Sequence, residues 1–459
     1  MAGPPNISAR RLAVTVLAQC DPKHKYVATR LHEVLAQTGE KQRATDLVLG
    51  SLRNRIAIDT VISTYSGKPT RRIPRPVLNT LRVAVYELAY VPQTPAYSIV
   101  NEAVENIKQL SGRKQVGFVN AVLRKVSTRI LSRCEPLAES PATRALPRTP
   151  QSACLFDSDI LPDPGTSPQQ YLKTAFSLPA WLVHEWLDKC GYEAARDICF
   201  GSNRKPSIHL RPNALRTDPN RLAEILKKSD IQTHPASDAP ILAVESPHDI
   251  SDLPGFNDAL FVVQDLAAWY PVAMLKPQAG WRILDLCAAP GTKTTQLAEA
   301  TNDAADIVAT DIDAERLDRV RDNIARLDLQ SIKLIAFSDL RDNAGKDGLF
   351  DAVLLDAPCS NTGVMAKRIE ARYRLSPGLV TAMSQTQMNL LETAADLTKP
   401  AGTICYSTCS ILSEENGDCV RTFLSTHSGW ELVDEKLTLP NAAGFDHDGG
   451  YVAIIRKKA

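Results

Sequence analysis

The sequence contains no run of about 18 consecutive apolar residues, so it offers no membrane-spanning helix. Its opening, MAGPPNISARRLAVTVLAQC, has arginines but no long apolar stretch, and no secretory signal is read there. None of the ten cysteines belongs to a C-x-x-C paired with a second one or with spaced histidines, so no metal site is expected. The eight histidines suggest no site either. G-x-G-x-x-G and the Walker lysine pattern are both missing, which removes the usual signatures of a dinucleotide or nucleoside-triphosphate site. Scattered, unpaired thiols suit a reducing cytoplasm.

What is present is an uneven distribution of charge. Residues 1–134 hold 21 Lys and Arg against 8 Asp and Glu, a balance of +13, while the remainder is at −12. A basic first segment implies a polyanionic partner. Residues 7–133 show helical periodicity, as in LRVAVYELAYV and VNEAVENIKQL, punctuated by Pro and Gly. Residues 135–168 are rich in Pro, Ser and Thr and are expected to form a linker or a partly disordered insertion. Residues 169–276 mix helical and strand patterns and are expected to form a small α+β unit.

From 277 to 459, strands alternate with helices: WRILDLCA, DIVATDI, SIKLIAFS, FDAVLLDAP, GTICYST and YVAIIRK are separated by amphipathic stretches. This is the pattern of a doubly wound, Rossmann-like α/β sheet, with its ligand beyond the C-terminal strand ends. The first strand runs into DLCAAPGTKT, whose Pro290 and Gly291 suit a tight strand-to-helix turn. Twenty residues past Gly291, Asp311 ends the second strand, a spacing that suits a ribose. One loop glycine and the acidic Asp285 argue against a pyrophosphate and for a phosphate-free cationic cofactor such as S-adenosyl-L-methionine.

Four motifs in order, DLCAAPGTKTTQLAE, VATDID, LLDAPCSNTGV and YSTCSILSEEN, resemble the RNA cytosine-C5 methyltransferases of the Sun/Fmu family. The stretches LRVAVYELAYVPQTPAYSIVNEAVENIK and GFVNAVLRKV resemble the NusB-like RNA-binding domain fused to the members of that family that act on bacterial 16S ribosomal RNA. PSIHLRPNALRTDP resembles the family's intermediate unit. The likeness covers nearly the whole chain except 135–168. It implies an all-α NusB-like domain over 1–134, an α+β RNA-binding unit over 169–276 and a Rossmann-like catalytic domain over 277–459. It also implies 16S ribosomal RNA as partner, with a monomer expected. The same chemistry on tRNA, or a non-catalytic RNA-binding factor, are the alternatives.

The resemblance further implies that Cys287, Ala288, Ala289, Pro290, Gly291, Thr292 and Lys293 form the cofactor loop. It puts Asp311 at the ribose, Asp339 near the adenine and Asp356 near the methyl donor and the target base. Thr292 stands where the family usually has a second glycine, and Ile369 where a proline is usual. A Cβ at 292 would crowd the turn if that residue needed positive φ.

Cytosine C5 is a poor nucleophile until a thiolate adds to C6, and the thiolate must later be eliminated. The resemblance makes Cys409 the nucleophile and Cys359 the group that assists release. Asp356 can serve the ring at N3, and Lys293 orients Asp356 or contacts the base. Lys367, Arg368, Arg372 and Arg374, with Tyr373 interleaved, read as an exposed basic loop for RNA phosphates.

Overall fold

The computed structural model describes residues 7–23, 27–110, 113–245, 249–342 and 348–458. The chain forms two compact units, Met1–Arg204 with Met365–Arg374, and Lys205–Val364 with Leu375–Ala459. The first six residues, read above for a signal, and Ser246, at the end of the strand-like stretch ILAVES (241–246) in the expected α+β unit, lie outside the described residues.

The first unit opens with the helices α1 (Ala9–Gln19), α2 (Val27–Val34), α3 (Lys41–Arg53), α4 (Arg55–Ser66), α5 (Arg75–Tyr90), α6 (Ala96–Leu110) and α7 (Arg113–Arg129). In α5, Val77, Leu81, Val85 and Leu88 recur at helical spacing and are all at most 1% exposed. Each such side chain contributes about 1.5–3 kcal/mol when fully buried. Gly50 lets α3 approach α5 closely, because a Cβ there would lie 2.0 Å from the Tyr86 ring. The polar contacts in this core are paired: Glu87 of α5, 1% exposed, receives Arg10 of α1 and, at 3.1 Å, Arg43 of α3.

Residues 135–168 are not a disordered arm. β1 (Ile130–Pro136), β2 (Ala145–Thr149) and β3 (Ser152–Phe156) form an antiparallel sheet in the order β1-β3-β2. Ala145, Leu146, Cys154 and Phe156 are fully buried, and Phe156 stacks on Tyr65 of α4 with ring centroids 5.8 Å apart. The helical reading of 7–133 also stops short, since β1 begins at Ile130. β1 presents Arg133 to the end of α5, where it donates to the carbonyls of Glu87 and Leu88 at 2.7 Å and of Val91 at 2.6 Å. A cation there satisfies the carbonyls that a helix C-terminus leaves unpaired. Helices α8 (Pro168–Phe176) and α9 (Ala180–Asn203) pack within this compact unit, which runs to Arg204.

The second unit contains two sheets. In the smaller, β4 (Ile208–Pro212), β5 (Thr233–Pro235), β6 (Leu242–Val244) and β7 (Phe261–Val263) lie antiparallel in the order β5-β6-β4-β7. Helix α10 (Pro219–Lys227) covers it with Leu222 and Leu226.

The larger sheet has seven strands: β8 (Arg282–Asp285), β9 (Asp306–Ala309), β10 (Ile332–Leu334), β11 (Phe350–Asp356), β12 (Thr398–Thr408), β13 (Trp430–Thr438) and β14 (Gly450–Lys457). Their order is β10-β9-β8-β11-β12-β14-β13, parallel through β12 and antiparallel at β14 and β13. Alternate residues feed opposite faces. Leu284, Val353, Leu355, Ile404 and Tyr406 pack on one side, and Ile283, Ala352, Leu354 and Cys405 on the other. Helices cover both faces, which accounts for the unbroken apolar strand sequences. The strand order reverses between β8 and β11, so a crevice opens beyond their C-terminal ends.

Candidate active site

The crevice is first lined by the turn that joins β8 to α12 (Thr292–Ala300), the helix after α11 (Leu266–Leu275). Gly291 adopts φ 98°, and a Cβ there would lie 3.0 Å from Val320 Cγ1 of α13 (Ala314–Leu327). Thr292 is the first residue of α12 and is not among the positive-φ residues, so its Cβ does not crowd the turn. The turn is tied to the second strand end: Ala288 N–H donates to Thr310 O at 2.9 Å, and Ala289 N–H to Asp311 Oδ2 at 3.2 Å. Asp311 Oδ1 also accepts from Asp313 N–H at 3.0 Å. The structure therefore brings residues 288–291 and Asp311 together. Asp339 is exposed in the turn after β10, where it accepts from Ser338 Oγ at 2.9 Å.

Beneath the turn, Asp285 is 1% exposed. Its Oδ2 accepts from Thr294 Oγ1 at 2.7 Å, while Oδ1 has no partner. Burial pushes this carboxyl up to about 7, and the Thr294 hydrogen bond only partly opposes it. Burial also pushes the Cys287 thiol up, and this residue packs against the sheet core.

The reacting end forms where β11 and β12 stop side by side. Their parallel register pairs Asp356 with Ser407, and Ala357 N–H donates to Ser407 O at 2.8 Å. Cys359 and Cys409 thus emerge next to each other although fifty positions separate them. Their Sγ atoms are 3.1 Å apart, and both are free thiols. A disulfide would require about 2.03–2.05 Å. Cys409 Sγ also donates to Asn361 Oδ1 at 3.2 Å, and Asn361 Nδ2 donates to Cys359 O at 3.0 Å. The hydrogen bond to Cys409 and burial together push the Cys359 thiol far above its ordinary range.

Asp356 is held from both sides. Lys293 Nζ donates to Oδ2 at 2.6 Å, and Ser407 Oγ to Oδ1 at 2.9 Å. Burial pulls the Lys293 ammonium down, but the charge and hydrogen bond of Asp356 outweigh it, and the net shift is upward. Of the two roles left open for Lys293, orienting Asp356 is the one that its contacts display. A cavity of about 70 Å³ lies against Lys293, Asp356 and Cys409, with Asp265, Val364 and Asp448 in its wall.

Sequence reasoning missed the clamp that sets the cysteine geometry. Glu415 is fully buried. It accepts from Ser360 N–H at 2.7 Å, from the hydroxyls of Ser360 and Ser410, and from Gln387 Nε2 at 3.2 Å. Those serines directly follow Cys359 and Cys409, so one carboxylate fixes both cysteine loops. Asn416 adds a hydrogen bond from Nδ2 to Ser410 O at 3.0 Å. The only signal was the SEEN sequence that follows the second cysteine, and nothing in it distinguishes buried Glu415 from exposed Glu414.

The expected basic loop is corrected. Residues 365–374 belong to the first unit. Lys367 and Arg368 are exposed, but Arg372 is 5% exposed and donates to Arg53 O and Asn203 Oδ1 at 2.7 Å and to Ser202 O at 3.1 Å. Its polar hydrogens serve the fold, which removes it from the RNA-binding set, and burial lowers it to about 10. Arg374 is half-buried, with Nε on Pro22 O at 3.0 Å. Ile369, where a proline was expected, is 2% exposed in this segment.

A doubly wound sheet with this turn at its switch point, and paired cysteines beside a lysine–aspartate couple, defines a Rossmann-like methyltransferase. Residues 272–454 match the family described as 16S rRNA methyltransferase RsmB/F, residues 7–128 the NusB family, and residues 178–251 the ferredoxin-like domain of the RsmF/B-like methyltransferases. The ribosomal RNA small subunit methyltransferase B of Yersinia enterocolitica is 30% identical over 98% of this chain and 98% of its own. That of Vibrio vulnificus is 28% identical over 99% and 100%. The crystal structure of PH0851 superposes with a TM-score of 0.71 at 25% identity, covering 98% of this chain and 99% of that one. NSun6 from Pyrococcus horikoshii, solved with SFG, shares the fold at a TM-score of 0.55 and 20% identity, over 61% of this chain and 98% of its own. The chain belongs to the ribosomal RNA small subunit methyltransferase B family. Among the described residues, no helix is long and apolar enough to cross a membrane.

Proposed function

We propose that the protein methylates C5 of a cytosine in 16S ribosomal RNA, with S-adenosylmethionine as donor and Cys409 as covalent catalyst, in the reducing cytoplasm. The observation that carries this reading is the Cys359–Cys409 pair, with Sγ atoms 3.1 Å apart, on strand ends adjoining the Lys293–Asp356 couple. The residues fit the cofactor. Asp285 Oδ1 and Thr310 Oγ1 are buried without partners beside the 287–293 turn, where a ligand's polar groups would satisfy them. Residues 287–293, Asp311 and Asp339 would hold it. When bound, S-adenosylmethionine supplies an electrophilic methyl group.

The protein's own groups do the rest. The Cys409 thiolate adds to C6, and the electrons of the C5–C6 double bond move toward the ring and make C5 nucleophilic. Asp356, whose Oδ2 accepts from Lys293 Nζ at 2.6 Å, takes a proton from that ammonium and passes it to N3 of the base, neutralising the charge that develops there; the proton returns to Asp356 when the ring is restored. After methylation C5 gives its proton to solvent water, the C–H electrons re-form the C5–C6 double bond, the C6–S bond breaks and Cys409 leaves as a thiolate. Cys359 retains its proton and donates a hydrogen bond to that departing sulfur. Asn361 and the Glu415 clamp hold both sulfurs for these steps.

The test is incubation with radiolabelled S-adenosylmethionine and 16S rRNA, 23S rRNA or tRNA, followed by nucleoside analysis. Label in 5-methylcytidine from 16S rRNA is expected. Label in another nucleoside, only in another RNA, or in none overturns the reading.

A further inference from the structure

The first unit contains a second, larger concavity that the chemistry above does not use. It encloses about 430 Å³, between the end of α1, the end of α3, the start of α4 and the first half of α5. That volume lies within the roughly 300–1,000 Å³ typical of ligand sites. Its wall bears five cations, Lys23, Arg55, Arg71, Arg75 and Arg82, against two carboxylates, Asp21 and Asp59.

The carboxylates do not cancel this charge. Asp59 is engaged by Arg82 through a two-pronged pairing, both contacts at 2.7 Å. Asp21 receives the backbone N–H of Lys23 at 3.0 Å. Lys23, Arg71 and Arg75 are exposed, and among the described residues none has a carboxylate partner. Arg55 lies over the Tyr373 ring, 5.7 Å from its centroid, and that ring is fixed by its hydroxyl, which donates to Leu52 O at 2.6 Å. A guanidinium backed by an aromatic face is held in place, so less freedom is lost when it meets a ligand. The cleft therefore has a surplus of three positive charges, with Arg55 held in place and the forks of Arg71 and Arg75 exposed at its wall.

We infer that this cleft grips the phosphodiester backbone of the RNA substrate, with Arg71 and Arg75 as its principal phosphate contacts. The inference rests on the proposed action on RNA and adds where the first unit holds it. Paired arginine forks match phosphate oxygens, and a row of them tracks a backbone. The +13 balance of residues 1–134 provides the long-range attraction that brings such a polyanion in. An acidic protein segment would meet the same charge and the same forks, so the experiment includes polyglutamate to tell it from RNA.

The experiment uses the full chain. Arg71→Glu/Arg75→Glu is compared with Arg72→Glu/Arg124→Glu, which removes the same charge from exposed positions of the same unit that do not line the cleft. RNA affinity is measured against salt, and methyl transfer against RNA concentration. The cleft variant is expected to raise the RNA KM at least tenfold, with kcat at saturating RNA unchanged. Its log–log salt slope should be shallower by about 1.4–1.8, from two contacts at ~0.7–0.9 each. The control pair should show less than half of that change. Equal behaviour of the two pairs, or an unchanged slope, overturns the inference. Should the reversed pair melt early, Arg71→Gln/Arg75→Gln provides the same reading. Displacement of RNA by millimolar AMP or inorganic phosphate would make this a small-molecule site, and polyglutamate binding as tight as RNA would make it a protein site; either result refutes the assignment. If the unaltered protein methylates no RNA, the proposed function fails, while the binding slopes still judge the cleft.

Discussion

Under the proposed mechanism, in which Cys409 attacks and Cys359 assists its release, replacing Cys359 with alanine separates the two steps. In the structure the Cys359 thiol lies 3.1 Å from Cys409 Sγ, and burial and the Cys409 contact keep its proton in place. When Cys409 is expelled from the adduct, its sulfur becomes an anion, and the Cys359 S–H is positioned to donate to it. A hydrogen bond to a charged group is worth about 1.5–3 kcal/mol. At 1.36 kcal/mol per tenfold, its loss slows elimination about 10- to 150-fold. Attack by Cys409 remains, because the Glu415 clamp on Ser360 and Ser410 does not depend on the sulfur of Cys359. The variant should accumulate protein bonded to methylated RNA, seen as a retarded band on a denaturing gel in the presence of 16S rRNA and S-adenosylmethionine. Cys359→Ser, which keeps an O–H donor, should release faster than the alanine variant. Cys409→Ala should give no band and no methylation. A band only in Cys409→Ala would exchange the two roles, and identical behaviour of both variants would remove the two-cysteine mechanism.

Three further outcomes are expected. Asp311→Ala releases the Ala289 N–H and should weaken S-adenosylmethionine binding at least tenfold by calorimetry, with RNA affinity within twofold; an unchanged cofactor dissociation constant removes Asp311 from the site. Asp285→Asn should stabilise the cofactor-free protein progressively as pH rises from about 4 to 7, because the unfolded carboxyl ionises near 3.9 while the folded one stays protonated to about 7, so the native state binds more protons across that window and loses stability as pH rises. The shift corresponds to something on the order of 4 kcal/mol, read as a melting-temperature gain that plateaus above pH 7, and a pH-independent gain would contradict it. Arg372→Met should lower the melting temperature by several degrees, since it leaves the carbonyls of Arg53 and Ser202 without their donor, but should leave the salt slope of RNA binding unchanged.

The sheet of the second unit was legible because its strands are buried on both faces and read as plain apolar runs. Trp430–Thr438 escaped because it is an edge strand in which exposed Glu431, Asp434 and Glu435 interrupt the equally exposed Leu432, Val433 and Leu437, so no plain apolar run marks it. The 135–168 sheet escaped for a related reason. Its buried residues are few and short, and the surrounding Pro, Ser and Thr outweigh them in composition. The cysteines and Asp356 were legible as motifs, but their meeting depends on the Asp356–Ser407 register, which local sequence does not encode. Arg372 shows the limit most plainly. A guanidinium between Lys367 and Arg374 looks like one more surface charge until the fold shows that its donors face carbonyls of α3 and α9.

The return of residues 365–374 to the first unit has a consequence for synthesis on the ribosome. Met365, Ala366 and Ile369 are each at most 2% exposed there, and Glu370 Oε1 accepts the N–H of Val27 at 3.0 Å, at the first residue of α2. The unit is otherwise complete at Arg204, so about 160 residues must be translated before its missing piece emerges. At roughly 5–20 residues per second, the nascent chain waits on the order of 10–30 s with that apolar seat unfilled. During this interval the seat is open to chaperones, and any truncation before residue 374 leaves it permanently so.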